Sequence, residues 1–238
     1  MIALDSVNPN DRVKYNKRYQ IQKNKVLEVI PAILEKDFAE IEKKIRLVEG
    51  LVNWVQIDCA NDTLVPNATF LDPAPFALLS TSIKLEAHLM VKDPLRFVEN
   101  FAKAGFKRFF AHVEADYTDE FIEKCRQLGV EVGLAIDGPT PLEKIKGYMD
   151  KLDVVLVMAI KAGFSGQPYR EETAERIKDL RMLDADIPIA VDGAMDDINA
   201  AKVVAAGATR INSNSFIFHS EDVKMAIDKL KMLGEKPL

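Results

Sequence analysis

Five side chains are of types that do chemistry and recur at spacings that turn them the same way: Gln56 and Asp58, Glu86 and His88, and Asp192. On an extended strand, residues two apart share a face, so Gln56 points with Asp58, and Glu86 with His88. Each pair interrupts an apolar run, where an ionisable group must be paired or functional because burying a lone charge is costly. Two carboxylates facing opposite sides of a small substrate suit proton removal from one face and return on the other. An imidazole among oxygen ligands also suits a divalent metal, which would stabilise an enediolate. The same residues could instead form a buried hydrogen-bonded network with no chemistry. Convergence on adjacent strand ends favours the functional reading.

Weaker signals sit nearby. The segment AGFSGQP from Ala162 sets Gly163 and Gly166 around Phe164 and Ser165. Such glycines permit a mobile lid or a phosphate cradle, and equally a plain turn. Gly193-Ala194 and Ser213-Asn214-Ser215 each follow a late apolar run. Backbone N–H groups there could hold a phosphate, or Asn214 and Ser215 could only cap a helix. His112, with Glu114 in FAHVEAD, fits a substrate pocket or a satisfied core histidine equally well.

The elements that must position these groups follow from periodicity. Short apolar runs begin at Val26, Leu51, Ile83, Lys107, Val130, Leu152, Asp186 and Thr209. Each is β-branched or aromatic and bounded by Gly, Pro or charge, which predicts buried strands. Between them, stretches such as DFAEIEKKIRLVEG and ETAERIKDLRMLD repeat apolar residues every three or four positions, predicting amphipathic helices. Gly105, Gly129 and Gly207 sit just past helical periods, where a left-handed residue ends a helix. Eight strand–helix units predict an α/β protein with a single (β/α)8 TIM barrel, a fold of roughly 250 residues with its active site at the C-terminal strand ends. The connection holding Pro66, Pro73 and Pro75 leaves room only for a short helix. A doubly wound open sheet is the competing fold, but no G-x-G-x-x-G turn follows the first strand. The division expected is a polar N-terminal extension over residues 1–25 and the barrel over 26–238; that extension could be a surface segment or a basic docking arm.

Composition removes other classes. The chain has 238 residues, 48% of them hydrophobic, which excludes global disorder. A formal net charge of −5 gives no electrostatic reason for nucleic acid or an anionic membrane as partner. No run reaches the roughly 18 apolar residues that span a bilayer. Two cysteines, Cys59 and Cys125, cannot make a disulfide framework, so a cytoplasmic location is expected.

Several segments in order resemble the ribulose-phosphate 3-epimerase family: VIPAILEKDFAEIE, WVQIDCANDTLVPN, EAHLMVKDP, FAHVEAD, MAIKAGFSGQ, AVDGA and NSNSFIF. The resemblance implies a (β/α)8 barrel that epimerises a ketopentose phosphate with two aspartates and one divalent metal, of zinc, iron, manganese or cobalt type. It assigns Asp58 and Asp192 as acid and base, Asp58, His88 and Asp192 as metal ligands, and Met90 and Met158 as pocket walls. It places Gly163 and Gly166 in a flexible loop, and Gly193, Ala194, Asn214 and Ser215 around the phosphate. A phosphorylated ketose is the implied partner, and a homo-oligomer is a common family state. The chain departs from the pattern at several positions. Gln56 replaces a metal histidine, Glu86 an aspartate, Ala32 a serine, Ala194 and Asn214 glycines, and Lys161-Ala162 an Asn-Pro pair. Gln56 and Glu86 remain candidate ligands, and Lys161 would add a cation near the pocket. The alternative is an epimerase-like barrel that has lost its metal and only binds a phosphorylated ligand or serves an assembly.

Overall fold

Each of the eight apolar runs forms a strand in a computed structural model that describes residues 27–235. They are β1 (Glu28–Ile33), β2 (Trp54–Ala60), β3 (Lys84–Met90), β4 (Arg108–His112), β5 (Glu131–Ile136), β6 (Val154–Met158), β7 (Ile189–Asp192) and β8 (Arg210–Ser213). All pair in parallel with their chain neighbours, and β8 returns to β1, closing the barrel. The predicted extension over residues 1–25 lies outside the described residues.

Helices cover the outside: α1 (Phe38–Val48), α2 (Leu95–Lys103), α3 (Thr118–Gln127), α4 (Glu143–Lys146), α5 (Thr173–Leu183), α6 (Asp197–Ala205), α7 (Ser215–Phe218) and α8 (Val223–Lys231). Their starts are encoded locally. Asp37 caps α1 by accepting from the Ala39 N–H, and Asp196 caps α6 by accepting from those of Ile198 and Asn199. Gly207, at φ 113°, ends the last turn after α6 as expected. Between β2 and β3 the prolines leave only a 3-10 turn, Ala74–Leu78, whose Phe76 packs edge-on against Phe38 and Phe106. Among the described residues, no helix is long and apolar enough to cross a membrane.

Alternation along the strands creates two apolar zones. Outward residues such as Val29, Ile57, Leu89, Phe109 and Val191 join the helices in the larger core. Inward residues, including Phe110, Ala135, Leu156, Met158 and Ala190, fill the barrel itself. Polar inward positions are stacked at different heights. At the N-terminal end Arg108 bridges Glu131 (2.8 Å) and Glu86 (2.5 Å) and lies 3.8 Å from the Trp54 ring centroid; Arg210 pairs with Glu28 at 2.9 Å. One layer higher are Gln56, Glu86 and Asn212, all fully buried. Above these, at the C-terminal face, are Asp58, His88 and Asp192.

Candidate active site

Register puts the upper layer together. Asp58 pairs with His88 across β2 and β3, and Asp192 pairs with Met158 on one side and Asn212 on the other. Asp58, His88 and Asp192 each offer a ligand atom, and these atoms lie within 4.8 Å of one another. His88 Nδ1 stands 3.0 Å from Asp58 Oδ1 and 3.6 Å from Asp192 Oδ2. The Gln56 Nε2 amide reaches up from the layer below, donating to Asp58 Oδ1 at 2.8 Å and to Asp192 Oδ2 at 2.6 Å. Both aspartates therefore share one donor.

Burial disturbs the charge on all three groups. It pushes the Asp58 carboxyl up to about 7, against the Gln56 hydrogen bond. Burial, reinforced by the Asp58 charge, pushes Asp192 up to about 7 as well. His88 goes the other way, held down to about 4 by burial, so its ring is neutral at physiological pH.

Behind His88 a second histidine fixes its tautomer. His88 Nε2 lies 2.9 Å from His112 Nε2, with the rings stacked, and His112 Nδ1 lies 3.3 Å from Glu114 Oε2. Burial pushes Glu114 up, but hydrogen bonds from His112 and Thr140 outweigh it and hold the carboxyl down at about 2. An ionised Glu114 requires the proton on His112 Nδ1. His112 Nε2 then accepts from His88 Nε2–H, leaving the His88 Nδ1 lone pair aimed at Asp58. A lone pair 3.0 Å from a carboxylate oxygen needs a proton or a cation between them. One buried imidazole nitrogen and two buried carboxylates are a donor set suited to a divalent ion, so the residues present fit the metal that the resemblance implies.

Above this cluster opens a cleft lined by apolar side chains and by residues of the loops after β6, β7 and β8. Met90, Met158, Leu34 and Met195 form the apolar wall. Gly163 and Gly166 line it from the loop after β6; Gly193, Ala194, Asn214 and Ser215 line it from the loops after β7 and β8. Asn67, in the loop after β2, donates its side-chain amide to the Gly163 carbonyl at 2.6 Å and ties that loop down. Gly193 has φ 106°, and a side chain there would strike Ile160 Cγ1 at 2.3 Å. Ala194 follows at φ 54°, a left-handed conformation at a position where the resemblance expects glycine.

Known proteins share this architecture. Residues 28–218 match the model of the ribulose-phosphate 3 epimerase family. The chain belongs to this family. A ribulose-phosphate 3-epimerase of Bacillus subtilis is 33% identical over 214 residues, covering 87% of this chain and 99% of the relative. A chloroplastic ribulose-5-phosphate-3-epimerase of Arabidopsis thaliana is 32% identical over 212 residues, covering 85% and 75%. Among solved structures, the 3-keto-L-gulonate-6-phosphate decarboxylase from Vibrio cholerae superposes with TM-score 0.70 at 11% identity, covering 89% of this chain and 98% of that one. The 3-hexulose-6-phosphate synthase from Salmonella typhimurium gives 0.69 at 15% identity, covering 88% and 99%. At such identities these structures support the barrel alone.

The structure thus gathers Asp58, His88, Asp192, Met90, Met158 and the expected phosphate-loop residues around one cleft. It separates others. Glu86, a candidate ligand from sequence, is drawn down to Arg108 and lies below the ligand cluster, because the i, i+2 relation fixes a face but not a height. Gln56 touches both aspartates, yet through its nitrogen. His112 stands behind His88 instead of lining the cleft, and Lys161 is solvent-exposed outside the lining. Asn214 begins α7 without a side-chain capping bond, so capping does not account for it. Met195, Leu34 and Asn212 carry no sequence signal of their own; only the barrel register brings them to the site.

Proposed function

We propose that the protein is an isomerase that epimerises a ketopentose phosphate at C3, with ribulose 5-phosphate, the sugar in its relatives' names, as substrate. The observation that carries this reading is the pair of buried aspartates, from β2 and β7, joined at one nitrogen beneath a cleft with apolar lining. Family membership supports an epimerase acting on a carbohydrate phosphate.

Epimerisation needs one carboxylate ionised and the other protonated at the same moment. Two neighbouring acids pushed up to about 7, chiefly by burial and for Asp192 also by the Asp58 charge, hold about one proton between them near neutral pH. Asp58 takes the C3 proton on one face while Asp192 delivers its proton to the other, and the reverse reaction exchanges the roles. The Gln56 clamp keeps both oxygens in place as charge moves between them. Met90, Met158 and Met195 keep water from the reacting carbon. Gly193 and Ala194 offer backbone N–H groups, and Ser215 a hydroxyl, to the phosphate. Asp58, His88 and Asp192 would hold a divalent cation of zinc, iron, manganese or cobalt type, which when bound supplies positive charge where the enediolate oxygens develop negative charge.

A net charge of −5 gives no electrostatic reason for nucleic acid or an anionic membrane as partner, and the small anionic substrate would be held by local donors. A cytoplasmic location and a second copy of the chain as assembly partner belong to the same proposal. Incubating metal-loaded protein with ribulose 5-phosphate and following the sugar by carbon NMR tests it. Appearance of the C3 epimer is expected; an unchanged spectrum at high protein concentration sinks the reading.

A further inference from the structure

We propose that Gln56 is locked as a double hydrogen-bond donor to Asp58 and Asp192, and that a buried relay from Arg108 through Glu86 and Asn212 keeps its amide oxygen turned away from the metal position. The inference rests on reading Asp58, His88 and Asp192 as the metal centre and adds how this chain fills the place of a fourth protein ligand.

The polarity of the relay is set from the floor of the barrel. A guanidinium can only donate, so Arg108, 2.5 Å from Glu86 Oε2, makes Glu86 an acceptor. The other carboxylate oxygen, Glu86 Oε1, accepts from Asn212 Nδ2 at 3.2 Å. That orients the Asn212 amide, and the second hydrogen on the same nitrogen goes to Gln56 Oε1 at 2.6 Å. With its oxygen committed downward, Gln56 must present Nε2 upward, where its two hydrogens meet Asp58 Oδ1 and Asp192 Oδ2. Every hydrogen of both amides is used, and Gln56, Glu86 and Asn212 are all 0% exposed.

Reversal is blocked at each link. Turning Gln56 alone would set two NH2 groups against each other at the 2.6 Å contact and an amide oxygen against two carboxylates. Turning Asn212 as well would set its oxygen against Glu86. The relay leaves one loose end, Asn212 Oδ1, which has no hydrogen-bond partner among the described residues. A buried unsatisfied acceptor is a cost tolerated where the donor side of the same group is needed. Gln56 is accordingly a positioning residue: it draws the two carboxylates toward one point and leaves three protein groups to hold the ion.

The test uses zinc alone as probe, on the full-length chain. Zinc dissociation constants are measured by chelator competition for the wild type, Gln56→Met and Gln56→His. Gln56→Met should lose less than tenfold in zinc affinity, because carboxylate positioning is lost but no ligand is. Gln56→His should bind at least tenfold more tightly, because an imidazole is gained. In nitrogen-15 spectra of the wild type, with and without zinc, both Gln56 side-chain amide hydrogens should be protected from exchange, and Asn212→Leu should abolish that protection. A tenfold or greater loss of zinc affinity in Gln56→Met, or freely exchanging Gln56 hydrogens in the wild type, would overturn the proposal. A wild type that takes up no zinc defeats the metal centre itself, and the Gln56 exchange rates in metal-free protein still judge the clamp. The same spectra decide if the variants fail to fold.

Discussion

Replacing Asp192 with Asn should make the metal-free protein more stable and the enzyme far slower. The Asp192 carboxyl moves from an ordinary 3.8 to about 7 on folding. About three units at roughly 1.4 kcal/mol each correspond to about 4 kcal/mol acting against its charged form. Because the folded value is raised, this group's contribution is favourable below pH 4 and is lost as pH rises through 7. Asp192→Asn removes the ionisation and keeps the shape, and an Asn oxygen can still accept from Gln56 Nε2. In chelator at pH 8 the variant should therefore melt higher, with up to about 4 kcal/mol as the ceiling, or roughly 8–16 °C for a chain of this size. At pH 3.5, below the ordinary carboxyl value of 3.8, the difference should have largely vanished. The same change deletes one of the two proton-transfer groups, so kcat should fall by roughly 10²- to 10⁴-fold. Differential scanning calorimetry at both pH values, paired with an epimerase assay, gives the two numbers. A variant that melts lower at pH 8 and keeps its activity would show a structural hydrogen-bond network and refute the reasoning.

Other expectations follow from the same geometry. Zinc binding at pH 6 should release protons, because both aspartates are largely protonated below about 7, and the release should fade by pH 8.5; titration calorimetry in buffers of different ionisation enthalpy measures it. His112→Phe leaves His88 Nε2 without its partner and should weaken metal binding by roughly 10- to 100-fold, read by chelator competition. Gly193→Ala forces a side chain onto Ile160 at φ 106° and should lower stability by about 1–3 kcal/mol while raising KM for the sugar phosphate, with melting and steady-state kinetics as readouts.

The barrel was legible because its strands are buried on both faces and read as continuous apolar runs, with Gly at helix ends marking each unit. Asp58, His88 and Asp192 stood out for the same reason, as ionisable groups where an apolar residue is expected. What the sequence hides is height within the barrel. Gln56 and Glu86 have the same spacing to their neighbours, yet one turns up to the aspartates and the other down to Arg108. Strand register decides this, since Glu86 sits beside Arg108 across β3 and β4. Arg108 itself looks like a surface charge at a strand start until closure of the barrel buries it against Trp54. Lys161 precedes the cleft loop directly but faces solvent, so proximity in sequence did not become proximity in the site. Asn212 reads as one polar residue in a polar stretch, and only ring closure between β8 and β1 brings it to Gln56.

The central claim, two aspartates exchanging the proton at C3, is tested most directly by running the reaction in deuterium oxide. Ribulose 5-phosphate and its C3 epimer should each acquire one deuterium at C3, and at no other carbon, at a rate that falls by at least 100-fold in both Asp58→Asn and Asp192→Asn. Interconversion without deuterium at C3, or full exchange persisting in both variants, would contradict it.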